Sequence, residues 1–260
     1  MTKLEEVLAD LAAESEQLDA LVAPLDERGW RSPSTAPGWD IAHQVAHLAW
    51  TDEAAVLATT DPKAYEQAVR QALADPDGFV DAAAAAGAAV PHGQLLDRWR
   101  RSRAKVARTL AGLPEGTRIP WYGPPMSATS MATARFMETW AHGRDVAGGL
   151  GVDLPRHDRV RHVVHLGVRS RLYSFVNRGL EPSTADIHVV LTLPSGERVE
   201  YGPPVAAQRV TGSAYDFALL VTQRVHRLDA DVVAEGPDAE AWLDVAQAFA
   251  GPPGAGRAPR

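Results

Sequence analysis

Trp39-Asp40-Ile41-Ala42-His43-Gln44-Val45-Ala46-His47-Leu48 and Glu138-Thr139-Trp140-Ala141-His142-Gly143-Arg144-Asp145 are the stretches whose reading decides the fold. Each reads as helix. Glu138 and His142 stand at i and i+4, on one face of one helix, and so do His43 and His47 on the other. A histidine from one helix facing the Glu-His pair of the other completes a three-ligand site, provided the helices lie side by side. Two imidazoles and one carboxylate suit zinc with an open fourth position, which belongs to chemistry more than to scaffolding. An E-x-x-x-H pair alone is a weak signal in a chain with nine histidines, and a polar pair on a helix surface is its ordinary alternative. Its neighbours Phe136, Met137, Trp140 and Ala141 are apolar, so the helix is expected to be buried, and buried polar groups need partners, a metal among them. Asp145, one turn beyond His142, is placed to accept a hydrogen bond from a ligand histidine, or to cap or ion-pair locally. Spacing does not choose between His43 and His47.

Outward from these stretches the apolar periodicity predicts further helices. Residues 3–22 carry Leu4, Val7, Leu8, Leu11, Leu18, Leu21 and Val22 on one stripe. Residues 23–38, with Pro24, Pro33 and Pro37, read as a loop. Asp40 is a candidate N-cap for a helix over 41–59. Residues 62–90 are Ala-rich and helical with a break at Pro76-Asp77-Gly78, and 93–112 is helical up to Gly112 and Pro114. A second loop over 115–126 carries Trp121 and Tyr122, candidates to line a pocket. Ser127 opens a helix to Leu150, with Gly148-Gly149 marking its end. Residues 1–150 therefore read as a helical bundle.

The pattern changes after Gly151. Residues 158–178 are helical, and 187–193 with 198–201 form a hairpin about Pro194-Ser195-Gly196-Glu197. A strand over 208–211, a helix over 213–226, a short strand over 229–234 and a helix over 238–249 follow. The fold class is α+β: a bundle over 1–150, a smaller α+β domain over 151–250, and a tail over 251–260 with too much Gly and Pro for regular structure.

The chain has 260 residues, 45% hydrophobic and 23% charged, with net charge -7. Such a balance fits a globular protein and not a nucleic-acid partner. No apolar run approaches a membrane span, and the acidic start Met1-Thr2-Lys3-Leu4-Glu5-Glu6 is not a signal peptide, so a cytoplasmic place is expected. Without cysteine there is no disulfide, thiolate ligand or cysteine nucleophile. Any thiol chemistry must use a thiol supplied as a small molecule. Arg98, Arg101, Lys105 and Arg108 form one basic stripe, read as a solvated face. His162 and His165 have no neighbouring carboxylate and are not read as ligands.

The segment from Gly38-Trp39-Asp40 to His47-Leu48-Ala49, with Glu138 through Asp145, resembles the N-terminal domain of the mycothiol-dependent maleylpyruvate isomerase family, within the DinB/YfiT-like superfamily of metal-binding four-helix bundles. The resemblance spans about residues 5–150. It implies His47, Glu138 and His142 as metal ligands and favours His47 over His43. A weaker resemblance, carried by Gly212, Asp216 and Arg224, links the second half to the sterol-carrier-like domain fused to such bundles. It implies Arg224 as an active-site arginine able to bind a substrate carboxylate, the alternative being an ordinary surface or salt-bridged arginine. Residues 237–250 do not follow the isomerase closely, as expected of a sister subgroup.

The resemblance implies Zn2+ or another divalent metal, mycothiol as cosubstrate, and S-transfer to, or thiol-assisted isomerisation of, a small electrophile. The partners expected are that thiol and that electrophile, with no nucleic acid and no membrane, in a monomer or homodimer. Trp121 and Tyr122 are the residues expected to close over the bound molecules. Two other readings stand beside this one: a zinc-activated water in a hydrolase, and a metal-containing small-molecule binding protein without turnover.

Overall fold

Side-chain caps place the ends of the helices that carry the site. In the computed structural model, which describes residues 1–76 and 78–259, the Asp40 carboxylate accepts from the His43 backbone N–H and opens α3 (Ile41–Thr60). The Ser127 hydroxyl accepts from the Ser130 N–H and opens α7 (Ala128–Leu150). Thr2 and Glu5 form a reciprocal capping box at the start of α1 (Lys3–Val22). Between them run α2 (Glu27–Trp30), α4 (Pro62–Ala72), α5 (Phe79–Ala88) and α6 (His92–Ala111). The short α2 lies inside the stretch expected to be loop. Its N-cap is Asp26, and it buries Trp30. Asp77 of the expected break, and the terminal Arg260, lie outside the described residues.

The chain forms two compact units, Met1–Leu154 and Pro155–Arg260. In the first, α3 packs on α5, α6 and α7, and α1 packs on α7. One end of the core holds Leu18, Trp30, Ile41, Leu48, Leu95 and Trp99. The other holds Val7, Val56, Tyr65, Val106, Leu110 and Met131. Ion pairs tie the long helices together. Arg135 Nε lies 3.0 Å from Asp52 Oδ1, joining α7 to α3, with both side chains buried. Arg144 reaches Glu14 at 2.6 Å, joining α7 to α1. Arg100 and Arg103 both reach Asp19, joining α6 to α1, and Arg98 reaches Glu53 of α3. Arg98 of the basic stripe is therefore paired.

Helix α7 ends at Leu150 as expected, but its terminator is not the expected one. Gly148 and Gly149 lie within the helix, and the terminator is Gly151, at φ +67°. The glycine pair serves close approach instead. A Cβ on Gly149 would stand 2.4 Å from the Pro33 carbonyl oxygen and 2.8 Å from Ser34 Cα. The loop over 31–40 thus lies directly on α7.

In the second unit the helices α8 (Arg161–Arg169) and α9 (Arg171–Val176) precede a four-stranded sheet ordered β2-β1-β3-β4. β1 (Ile187–Thr192) pairs antiparallel with β2 (Arg198–Tyr201) and parallel with β3 (Gln208–Ser213). β4 (Val232–Glu235) pairs antiparallel with β3. Helices α10 (Ala214–Val221) and α11 (Pro237–Val245) complete the unit, with Phe217 edge-on to Trp242. The helix expected to run to 226 stops at Val221. Gln223 takes a left-handed φ of 59°, and the N–H groups of Gln223 and Arg224 return to the carbonyls of Leu220 and Leu219. That is a Schellman end without glycine. Among the described residues beyond Gly251 there is no regular structure, although Asn177 and Gln247 donate to the Gly251 carbonyl. The architecture is helix-rich α+β. Among the described residues no helix is long and apolar enough to cross a membrane.

Candidate metal centre

Three contacts fix how α3 and α7 meet. Gln44 lies against His142, His47 against Glu138, and Thr51 with Asp52 against Arg135. Numbers rise on α3 as they fall on α7, so the helices run antiparallel. The i, i+4 pair of α7 then faces the middle of α3. His47 Nε2 lies 3.1 Å from Glu138 Oε2, and His142 Nε2 lies 3.1 Å from the same oxygen. One donor atom from each of the three residues lies within 4.8 Å of the others. His47 is buried, and Glu138 and His142 are partly buried.

This donor set fits a divalent cation. Both imidazoles turn their Nε2 atoms to one carboxylate oxygen, and a cation shared by the three atoms satisfies all of them together. Burial alone would raise the Glu138 carboxyl, but hydrogen bonds from His142 and His47 outweigh it and hold the group well below the usual carboxylate range. An ionised carboxylate between two imidazoles is the form a cation needs.

Aromatic rings enclose the centre. The Trp39 ring stacks on His142 at 5.9 Å and 17°, and lies 5.4 Å from His47. Its Nε1–H donates to Asp81 at 2.8 Å, which anchors it to α5. Trp50 lies 5.9 Å from His47 on another side. His43 takes no place among the three converging atoms. Its Nδ1 lies 2.6 Å from Asp40 Oδ1, at the start of its own helix.

The family model for the mycothiol maleylpyruvate isomerase N-terminal domain matches residues 11–147, which contain all three residues of the centre. The chain belongs to this family. It is 53% identical over 250 residues to two relatives from Mycobacterium tuberculosis, strains CDC 1551 / Oshkosh and H37Rv, each named an uncharacterized protein. That alignment covers 96% of this chain and 97% of each relative. Two crystal structures of the mycothiol-dependent maleylpyruvate isomerase, one of a histidine-to-alanine mutant, superpose with TM-scores of 0.61 and 0.62. They cover 90% of this chain and 95% of theirs at 18% identity, a likeness of fold.

Other residues singled out in this member of the isomerase N-terminal domain family fall as follows. Tyr122 belongs to an aromatic chain that starts at the centre: His47 to Trp50, then Trp50 to Phe79 and Tyr122. Trp121 lies behind it, stacked on buried Tyr65 at 5.9 Å and 6°. Arg224, in the second unit, is part-buried, and its Nη1 donates to the Thr222 carbonyl at 2.5 Å. Gly212 and Asp216 of the weaker motif have local work. A Cβ on Gly212 would strike the Asp231 carbonyl, and Asp216 Oδ2 accepts from the Asp231 N–H.

Sequence reasoning offered Asp145 as a partner for a ligand histidine, or as a local capping or ion-pairing group. Its carboxylate accepts from the Thr35 hydroxyl at 2.6 Å, and its carbonyl accepts from the Thr35 N–H. The partner of His142 is Gln44, fully buried, with Oε1 at 2.5 Å from Nδ1. A signal for it was present: a long amide at i−3 from His47 on the buried side of a helix.

Proposed function

We propose that the protein is a divalent-cation-dependent enzyme, zinc being the first candidate. It activates an exogenous small-molecule thiol, mycothiol first, for S-transfer to or isomerisation of a small electrophile. The observation that carries this reading is the convergence of His47 Nε2 and His142 Nε2 on Glu138 Oε2 within a family named for a mycothiol-dependent isomerase.

In this reading His47, Glu138 and His142 hold the cation and leave it a net charge of +1. A cation held there would lower the pKa of a bound thiol and so supply a nucleophile at neutral pH. A free thiol of pKa about 8.5 is only a few per cent ionised at pH 7, so full ionisation contributes roughly one to two orders of magnitude in rate. The chain's own groups do the rest. Glu138 stays ionised. Trp39 and Trp50 limit water around the two imidazoles and hold their planes. Tyr122, with Trp121 behind it, provides the aromatic surface against which the bound molecules are held.

The test is turnover of maleylpyruvate by zinc-loaded protein with and without mycothiol. A sister enzyme with another electrophile is tested by mycothiol consumption against a panel of unsaturated acids and alkyl halides. Thiol-dependent turnover that disappears in His47→Ala supports the reading. Binding of zinc with neither thiol-dependent isomerisation nor thiol consumption on any electrophile would leave the metal-containing binding protein in its place.

A further inference from the structure

The buried amide of Gln44 has a proton assignment that the surrounding hydrogen bonds determine. The Ser34 hydroxyl lies 2.8 Å from the Trp39 carbonyl, to which it can only donate. It accepts from the Ala36 N–H at 3.3 Å. What remains on that oxygen is one lone pair, so the Gln44 atom 2.8 Å away must be the donor, Nε2. Gln44 Oε1 therefore faces His142 Nδ1 at 2.5 Å and is an acceptor there. A carbonyl oxygen at that distance requires a proton on Nδ1.

We infer that Gln44 is a positioning residue that holds a proton on His142 Nδ1 and so keeps Nε2 as the atom turned to Glu138 Oε2 and the cation site. The inference concerns the chain's own residues and rests on the proposed metal reading only for its consequence, the affinity. Two features make the relay rigid. Gln44 is fully buried within α3. Its anchor, Ser34, belongs to the loop pressed on α7 by the Gly148-Gly149 approach and by the Thr35–Asp145 bonds. Among the described residues His47 has no such partner, since its Nδ1 is buried without a hydrogen bond. The centre is thus asymmetric, with an outer hydrogen bond on the His142 Nδ1 and none on that of His47 among the described residues. Outer hydrogen bonds of this kind fix the ring orientation and tautomer of metal-binding histidines, and losing one typically weakens metal affinity by about 10–100-fold.

The experiment compares wild type with Gln44→Met, of similar volume without an acceptor, and Gln44→Glu, which keeps one. Side-chain 15N shifts of His142, assigned by their loss in His142→Gln, report the tautomer in chelator-treated protein. Zinc titration reports affinity, and thermal melting reports folding. Expected are an Nδ1–H His142 in wild type and in Gln44→Glu, and a shift toward Nε2–H in Gln44→Met. Gln44→Met should bind zinc about 10–100-fold more weakly, with Gln44→Glu within a few-fold of wild type. An Nε2–H His142 in wild type, or a Gln44→Met protein with unchanged tautomer and affinity, overturns the inference. If Gln44→Met fails to fold, the wild-type tautomer and the Gln44→Glu affinity still decide it. A wild type that binds no zinc yet shows the Nδ1–H tautomer refutes the metal reading while leaving the Gln44 assignment standing.

Discussion

Replacing Gly149 with alanine tests whether the loop over 31–40 and helix α7 are held as close as the metal centre requires. Two effects oppose each other. Alanine in a helix interior gains up to about 1 kcal/mol over glycine in intrinsic propensity. Against that, the added Cβ would stand 2.4 Å from the Pro33 carbonyl oxygen and 2.8 Å from Ser34 Cα. Both are backbone atoms, so relief requires the loop to retreat by roughly 1 Å, and overpacking of this kind costs about 1–3 kcal/mol. The retreat also stretches the 2.8 Å bond from Gln44 to Ser34 beyond hydrogen-bond range, at a further cost of about 1 kcal/mol. The net expectation is a loss of about 1–3 kcal/mol, which lowers the melting temperature by roughly 2–4 °C per kcal/mol in a chain of this size. Gly143 is the internal control. It lies in the same helix, and a Cβ there meets nothing within 4 Å, so Gly143→Ala should stabilise by about 0.5–1 kcal/mol. Gly148→Ala meets only the Thr35 methyl at 2.6 Å and should fall between the two. Thermal melts of the three variants in chelator-treated buffer give the signs. A Gly149→Ala protein that melts at or above wild type would refute the claim that this contact sets the loop.

Other perturbations have definite outcomes. Arg135→Met strands the buried Asp52 carboxylate, whose pKa burial already raises against the opposing pull of Arg135; the expected loss is about 3–5 kcal/mol by urea unfolding, and adding Asp52→Leu should recover most of it. Asp19 is held below its usual carboxyl range by its hydrogen bond to Arg100, with help from Arg103. A depressed folded-state pKa gives stability that is present above the unfolded value and lost as pH falls through the folded one. Asp19→Asn should therefore cost up to about 1 kcal/mol at pH 7, and its unfolding curve should converge on wild type once pH drops below the lowered folded-state pKa of Asp19. Chelation should lower the melting temperature of zinc-loaded protein, because a cation present at about 1,000 times its Kd adds about 4 kcal/mol; equal melting with and without chelator would show that the cation does not bind the folded state preferentially.

The bundle was legible because its helices announce their own ends. Asp40 and Ser127 stand where an N-cap must stand, and the helices read over 3–22 and 93–112 fall on observed helices. The misreadings came from residues with two uses. Glycine ends helices and also lets backbones approach, and Gly148-Gly149 serves the second use while Gly151 serves the first. Gln223 ends α10 in the left-handed region, where sequence reasoning looks for glycine. At the centre, periodicity put Glu138 with His142, and family likeness chose His47 over His43. The structure brings those three together and sends His43 to Asp40. Gln44 was overlooked because candidates to support a histidine were sought among ionisable neighbours along the chain. The actual partner is a neutral amide on the facing helix. The ion pairs that tie the bundle, such as Arg135 with Asp52, join residues distant in sequence and leave no periodic trace.

The central claim is that His47, Glu138 and His142 form one cation site. The most direct test is zinc titration of chelator-treated protein, followed by metal analysis after gel filtration, for wild type, His47→Ala and Glu138→Ala. The account predicts about one zinc per chain in wild type and little or none in either variant, since three protein ligands are the usual minimum for such a site. Wild-type protein that retains no zinc, or a Glu138→Ala protein that retains it fully, would contradict the account.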